Sequence, residues 1–217
     1  MKKINIILFL LLLTSFTSFG QKIHKDIRNK AGNLSNPLTQ ELHRIDGDNW
    51  KILSKENYTI KHPPSWEVNT SGEDGTSLIL FSPITSKGET FRANINLLIQ
   101  DLENYDLENY DLEKNDINSQ TITLKKVTES TLIKIKSFVK THGGKIISSD
   151  LVNVGGISLQ KVICNFVGKD GLKLKSEEYI LLQNNKTRYR LTFTCQEHKF
   201  TDYQATAEKI LDSFKML

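Results

Sequence analysis

The residues of this chain with the greatest capacity for chemistry form a run of carboxylates near its middle. Seven acidic side chains fall within sixteen consecutive positions: Asp101, Glu103, Asp106, Glu108, Asp111, Glu113 and Asp116. Carboxylate oxygens are the ligands that Ca²⁺ prefers, but a calcium-binding loop also needs a central glycine and a closing glutamate at fixed spacing. The run lacks both, so we interpret it as a solvated acidic loop and predict no metal site. Whether this loop contacts a partner is left open.

The histidines form no catalytic or metal-binding pattern. They stand at His24, His43, His62, His142 and His198, and no two have the helical spacing of metal ligands. The chain also lacks a Gly-x-Ser-x-Gly nucleophile motif and a glycine-rich phosphate loop after a strand. We therefore predict no catalytic residue, no cofactor and no enzyme activity. A hydrolase whose site is assembled around His62 or His142 stays open as an alternative.

The first twenty residues resemble a secretion signal. Two lysines follow Met1 and precede an apolar run over residues 4–13, far short of the ~20 residues that cross a bilayer. Ser18 and Gly20 are the small residues expected at the −3 and −1 positions of a cleavage site. We expect residues 1–20 to be removed, the protein to reach the periplasm or the medium, and no stable membrane span to remain.

The mature chain has the size and composition of one ordinary globular domain. Its net charge falls from the +4 of the whole chain to +2 once Lys2 and Lys3 are removed, too little to indicate nucleic-acid binding. Residues 21–49 mix charges of both signs with Gly, Asn and Ser and show no sustained apolar period, which predicts a linker or loosely ordered arm. Residues 50–217 are the predicted folded domain.

The first half of this domain predicts strands. Residues 57–62 alternate until a proline pair stops them, residues 77–81 form a compact apolar strand, and residues 91–99 form the clearest half-buried strand. Trp66 is interpreted as a core anchor rather than a binding aromatic.

A short tandem repeat follows these strands. The segment 101–105, Asp-Leu-Glu-Asn-Tyr, is copied at 106–110 and imperfectly at 111–115. A period of five matches neither a helix nor a strand, so we interpret the repeat as an expansion in a surface loop.

A helix is predicted over residues 123–140, where apolar residues recur at three- and four-residue steps before Gly143 and Gly144 end it. Its lysines outnumber its acids, with Glu129 alone against Lys125, Lys126, Lys134, Lys136 and Lys140. The acidic loop and this basic helix could neutralise each other.

The last third predicts a three-stranded antiparallel meander, over residues 157–167, 172–183 and 186–195, and a closing helix. Thr201 and Gln204 form a predicted capping box before that helix. Its apolar stripe should pack on the sheet: Tyr203, Ala207, Ile210, Leu211 and Phe214.

Turns of four and two residues would pair Val167 with Leu172 and Gln183 with Lys186. One face of the meander then collects apolar residues: Ile157, Leu159, Ile163, Leu172, Leu174, Ile180, Leu182, Tyr189, Leu191 and Phe193. The other face is predicted to be only partly covered: Gln160, Lys173, Lys175, Glu177, Arg188, Arg190 and Thr192, with Val162, Phe166, Tyr179 and Leu181 among them.

The same register separates the two cysteines. Cys164 lies opposite Lys175 and Cys195 opposite Leu174, on opposite faces and two strand spacings, roughly 9 to 10 Å, apart. That exceeds the ~7 Å between Cα atoms that a disulfide spans. Although export permits a bridge, we predict two thiols, with Cys195 buried and Cys164 on the partly covered face.

The order of these elements resembles the PsbP-like family over roughly residues 50–217. Five segments carry the resemblance: Y-T-I-K-H-P-P-S-W-E-V at 58–68, S-P at 82–83, A-N-I-N-L-L-I-Q-D-L at 93–102, Y-R-L-T-F-T at 189–194 and I-L-D-S-F at 210–214. The resemblance implies an α+β fold in which helices flank an antiparallel sheet in an α/β/α arrangement. It also implies accessory roles, such as stabilising a larger assembly, as the extrinsic photosystem II subunit does, or binding a GTPase. No family metal motif is present to carry over.

These observations predict an exported, non-enzymatic binding or accessory module that acts through a protein partner in the cell envelope. Two alternatives remain at this stage. A small-ligand or lipid carrier would need a cavity between sheet and helix, and an exported hydrolase would need the scattered site described above.

Overall fold

The structure, a computed structural model, describes residues 49–102 and 123–217, apart from residues 86, 88, 90 and 169. The predicted signal peptide, all of the predicted arm but its last residue, and the five-residue repeat beyond Leu102 lie outside the described residues.

Ten strands form two antiparallel sheets in the described part of the chain. The main sheet has the order β3-β4-β5-β9-β8-β7-β6 and contains β3 (Glu67–Asn69), β4 (Leu78–Phe81), β5 (Asn94–Asp101), β6 (Lys145–Val154), β7 (Ile157–Val167), β8 (Lys173–Gln183) and β9 (Thr187–Gln196). The small sheet has the order β1-β2-β10 and contains β1 (Lys51–Ser54), β2 (Tyr58–His62) and β10 (Lys215–Met216).

Two helices cover the two faces of the main sheet. Helix α1 (Leu124–Thr141) packs on one face through Ile135, Phe138 and Val139, and helix α2 (Phe200–Asp212) packs on the other, together with β2 of the small sheet. The predicted fold class, α+β with helices flanking an antiparallel sheet, is confirmed. Among the described residues, no helix has the length and apolar character that crossing a membrane requires.

Helix α1 begins and ends within one residue of the predicted range 123–140. The hydroxyl of Thr123 accepts a hydrogen bond from the backbone N–H of Lys126 at 3.3 Å and caps the first turn. After the last turn, Gly143 takes a φ of +63°, and the N–H of Gly144 donates to the carbonyl of Val139 at 2.7 Å. A Cβ on Gly144 would overlap the backbone carbonyl of Asn165, so this glycine lets the end of the helix approach β7 closely.

Three of the strands, β1, β6 and β10, were not predicted from the sequence. Of these β6 matters most, because it forms one edge of the main sheet. Its alternation is broken by a β-bulge, in which Ile146 pairs with Cys164 and Ser148 already pairs with Ile163. The one-residue shift at Ile147 removes the period-two pattern by which a strand is recognised.

The predicted register of the meander is wrong by one residue at each turn. Val167 pairs with Lys173 and Gln183 pairs with Thr187, because the turns hold five and three residues instead of four and two. A slip of one residue moves side chains to the opposite face.

Because of this slip, the side chains of β8 lie on the opposite faces of the sheet from those predicted. Tyr179 and Leu181 pack on the α2 side, whereas Leu174, Ile180 and Leu182 face α1. The face predicted to be partly covered is in fact buried, because α1 lies over it. Its two arginines are only 3% (Arg188) and 6% (Arg190) exposed, and Thr192 is buried with them.

Two smaller expectations also fail. The predicted capping box is wrong, because α2 already begins at Phe200, so that Thr201 lies inside its first turn, and Lys199 precedes the helix without a capping side chain. The strand β5 is buried on both faces rather than half-buried, since Asn94 and Asn96 are enclosed as well as its apolar residues.

Candidate functional site

The two histidines around which a hydrolase site was considered lie apart and contact backbone. The Nδ1 atom of His62 is 2.9 Å from the carbonyl oxygen of Pro63, and that of His142 is 2.8 Å from the carbonyl oxygen of Phe138, on whose ring His142 stacks. Within the described residues neither imidazole has a serine or acidic hydrogen-bond partner. This geometry gives the hydrolase alternative no support.

Both cysteines are unpaired thiols, as predicted, and face opposite sides of the sheet. Their neighbours differ from the prediction by one residue: Cys164 pairs with Ser176, and Cys195 pairs with Lys175. Cys164 is buried rather than half-covered. Burial raises the pKa of Cys164 to about 11 and that of Cys195 to about 12, so neither thiol is reactive near neutral pH.

Of the acidic run, only Asp101 falls among the described residues, and the rest of it stays a prediction. In the described part of the chain, no three His, Cys, Asp or Glu side chains are grouped to hold a metal ion. Trp66 is a core residue, as predicted, because it is buried and its ring meets that of Tyr203 edge-on with centroids 6.5 Å apart.

A charged polar layer lies between the main sheet and the first half of α1. Arg190 donates from Nε and Nη2 to the two carboxylate oxygens of Glu178, at 2.8 and 2.9 Å. Arg188 donates from Nη1 to the hydroxyl of Thr131 on α1 at 3.0 Å, and its other guanidinium nitrogens donate to the side-chain oxygen of Gln100. The layer therefore joins β5, β8, β9 and α1 through hydrogen bonds to buried charges.

Lys134 of α1 is partly buried and lies near this layer. Burial lowers its pKa to about 8, and the positive charges of Arg188 and Arg190 act in the same direction. In the sequence Lys134 was grouped with the other lysines of the helix, although it lies three residues after Thr131 and four before Phe138, both of which face the sheet.

A second group of ionisable side chains lies on the α2 side of the sheet. The Nζ atom of Lys161 is 2.7 Å from the carboxylate of Glu177, which is buried, and 3.4 Å from that of Glu208. Burial alone would lower the pKa of Lys161, but its hydrogen bonds and charge attraction to these carboxylates outweigh this effect and raise it. The hydroxyl of Tyr179 donates to Asp212 at 3.2 Å, and burial followed by nearby carboxylates raises the pKa of Tyr179. These bonds tie α2 to the sheet.

The outer side of α1 carries the predicted excess of lysine. Lys125, Lys136 and Lys140 are exposed there with Glu129, in a row along the helix that includes Ile133, which is 55% exposed. Residues at these positions share one side of a helix, because they recur at three- and four-residue steps. None of the three lysines forms an ion pair with another described residue. We call these five residues the basic face.

No protein-family model matches the sequence, and no curated protein matches it either. The fold is that of PsbP, which confirms the resemblance stated from sequence. The solution structure of cyanobacterial PsbP (CyanoP) from Synechocystis sp. PCC 6803 matches with a TM-score of 0.54 at 9% identity, over 78% of this chain and 93% of that one.

Two further solved structures are similar at lower scores. LpqN of Mycobacterium tuberculosis, described as involved in cell envelope biogenesis, matches with a TM-score of 0.48 at 9% identity, over 77% of this chain and 90% of its own. The Ran-binding protein Mog1p of Saccharomyces cerevisiae matches with a TM-score of 0.45 at 9% identity, over 77% and 95%. At these identities the likeness describes the fold, and the fold assignment rests on CyanoP.

Proposed function

We propose that this protein is an exported, non-enzymatic accessory module that binds an acidic surface of a protein partner in the cell envelope. The observation that carries the proposal is the basic face of α1. Export is supported by the signal-like residues 1–20, and an accessory role is what the PsbP-like resemblance implies.

The basic face has the composition of a docking surface. An apolar side chain near its centre, Ile133, can be buried by a partner, while the lysines before and after it along the helix give electrostatic attraction. Within the basic face, Lys125, Lys136 and Lys140 stand with a single acid, Glu129, so a surface complementary to this face is acidic.

The first experiment is crosslinking in intact cells followed by recovery of the protein and its partners. The variant Lys125→Glu/Lys136→Glu/Lys140→Glu should reduce partner recovery about tenfold or more, because three charges of the basic face are reversed and 1.4 kcal/mol corresponds to a factor of ten. The fold should survive, since all three side chains are exposed.

A matched control makes the same change of charge elsewhere. Lys51, Lys55 and Lys61 are exposed at β1 and β2, so Lys51→Glu/Lys55→Glu/Lys61→Glu should retain the partner. Equal recovery with both triple variants, or equal loss, would contradict the proposal. So would a result in which only binding to vesicles of anionic lipid depends on the basic face, because the surface would then serve a membrane.

A further inference from the structure

The main sheet ends at β6, whose outer side presents a row of backbone N–H and C=O groups. Its inner side pairs with β7, and among the described residues no strand pairs with its outer side. Two large apolar side chains of β6 are exposed, Leu151 at 69% and Ile147 at 49%. An edge of this kind is a template for pairing with another strand.

Proteins protect sheet edges with charges, prolines or bulges. The first part of β6 has such protection in Lys145 and in the bulge at Ile147. Residues 148–154, which we call the edge segment, run in regular register against β7 and contain no proline and a single charge, Asp150. Leu151 stands at the centre of the edge segment and is the most exposed large apolar residue of the described chain.

We propose that the edge segment of a second copy of this chain pairs antiparallel with the first, about a twofold axis through Leu151. The seven residues then pair completely, and Leu151 lies against Leu151 of the second copy. Ser149 lies opposite Asn153, and Asp150 lies opposite Val152, each pair occurring twice. Residues that share a face of one sheet stay on that face in the joined sheet, as antiparallel pairing requires.

Neighbouring registers are less favourable. A shift of two residues in one direction places Asp150 directly opposite Asp150 of the second copy, and like charges at opposite positions destabilise a sheet. A shift of two residues in the other direction shortens the paired segment to five residues and places Leu151 opposite Asn153. Opposite residues of an antiparallel pair share a face, so a shift of one residue would require the second sheet to be turned over, which a twofold axis does not permit.

The self-complementarity of the edge segment favours a second copy over a foreign strand. A partner for this edge needs about seven unpaired backbone positions, an apolar residue at the centre and no charge opposite Asp150, and the edge segment itself meets these needs. Seven paired residues bury less than the ~1,600 Å² of a standard interface, so the dimer should be weak and should form as concentration rises. This inference does not depend on the basic face.

The test uses single cysteines introduced into the mature chain. Leu151→Cys should be joined into a covalent dimer by mild oxidation or a short bismaleimide at least about tenfold faster than Ile133→Cys, because pairing raises the effective concentration of the two thiols. Ile133 is a fair control since it is also exposed but lies on α1. The native thiols are buried and should not react.

Sedimentation velocity over a wide concentration range completes the test. The unmodified chain should shift toward a dimer at high concentration, and Leu151→Lys should remain a monomer with an unchanged melting curve. Equal crosslinking of Leu151→Cys and Ile133→Cys, or a monomer at every concentration, would overturn the proposal. A monomeric Leu151→Cys variant whose new thiol resists maleimide would overturn it too, and would show that another segment of the chain covers this edge.

Discussion

At the scale of single residues, the buried ion pair between Glu178 and Arg190 is central to the polar layer beneath α1. We expect Glu178→Gln to lower the free energy of unfolding by about 3 kcal/mol, because removing one charge of a buried pair leaves the other uncompensated. Chemical denaturation measures this directly.

The control is an ion pair with an exposed acid. Glu67 lies 2.7 Å from Arg92, and its side chain is about half exposed. Glu67→Gln should therefore cost no more than about 1 kcal/mol. If the two substitutions lower the free energy of unfolding equally, the pair between Glu178 and Arg190 does not stabilise the fold as we propose.

Lys134 predicts a pH dependence of stability at the same site. Its pKa is about 8 in the folded protein and near the ordinary value of 10.5 when unfolded. Between those values the unfolded state binds more protons, so this lysine makes stability rise with pH from about 8 to about 10.5. Below pH 8 the partly buried charge destabilises the folded state by a constant amount.

The measured quantity is the melting temperature of Lys134→Met minus that of the unmodified chain, followed as a function of pH. The difference should be most positive near pH 7 and should fall as pH rises through 8 toward 10.5, because only the unmodified chain is relieved of a buried charge. Lys136→Met, on the exposed side of α1, should show no such trend. A difference that is constant with pH would mean that Lys134 is solvated in the folded protein.

At the scale of elements, the end of α1 is fixed by its close approach to β7. Gly144→Ala should destabilise the fold by about 2 to 3 kcal/mol, because the new Cβ meets the backbone of Asn165, which cannot move aside without breaking strand pairing. Gly155→Ala is the matched control, since its positive φ costs about 1 kcal/mol but nothing lies near the new Cβ.

Thermal melts separate the two glycine variants. Each kcal/mol should lower the midpoint by about 2 to 4 °C in a domain of this size. An effect of Gly144→Ala no larger than that of Gly155→Ala would show that α1 and β7 can separate freely at this point.

The elements that sequence predicts well are those with uninterrupted periodicity. Helix α1 repeats apolar residues at helical steps between a threonine cap and two glycines, and β2 alternates until its proline pair. The strand β6 was missed because its bulge breaks that alternation. The register of the meander failed because the turns are one residue longer than their residue types suggest, and so small an error exchanges the faces of β8.

At the scale of the whole molecule, the packing of α1 on one face of the main sheet explains which parts of the candidate site could be predicted from sequence. The lysine excess of α1 is visible in sequence, and the structure divides it into the inward Lys134 and the outward basic face. The burial of Arg188 and Arg190 was not predicted, because the implied α/β/α arrangement does not say which helix covers the side of the sheet that carries these charges. From sequence alone, a strand face that carries charged residues is predicted to be exposed to solvent, unless the element that covers it is known.

Site-specific photocrosslinking in living cells shows whether the basic face of α1 contacts a partner. A photoreactive residue replaces Ile133 in one variant and Ile52 in another, two exposed positions on α1 and on β1. A defined protein adduct should form from position 133, and none of comparable yield should form from position 52. An adduct from position 52 alone, or no protein adduct from position 133, would contradict the proposed contact.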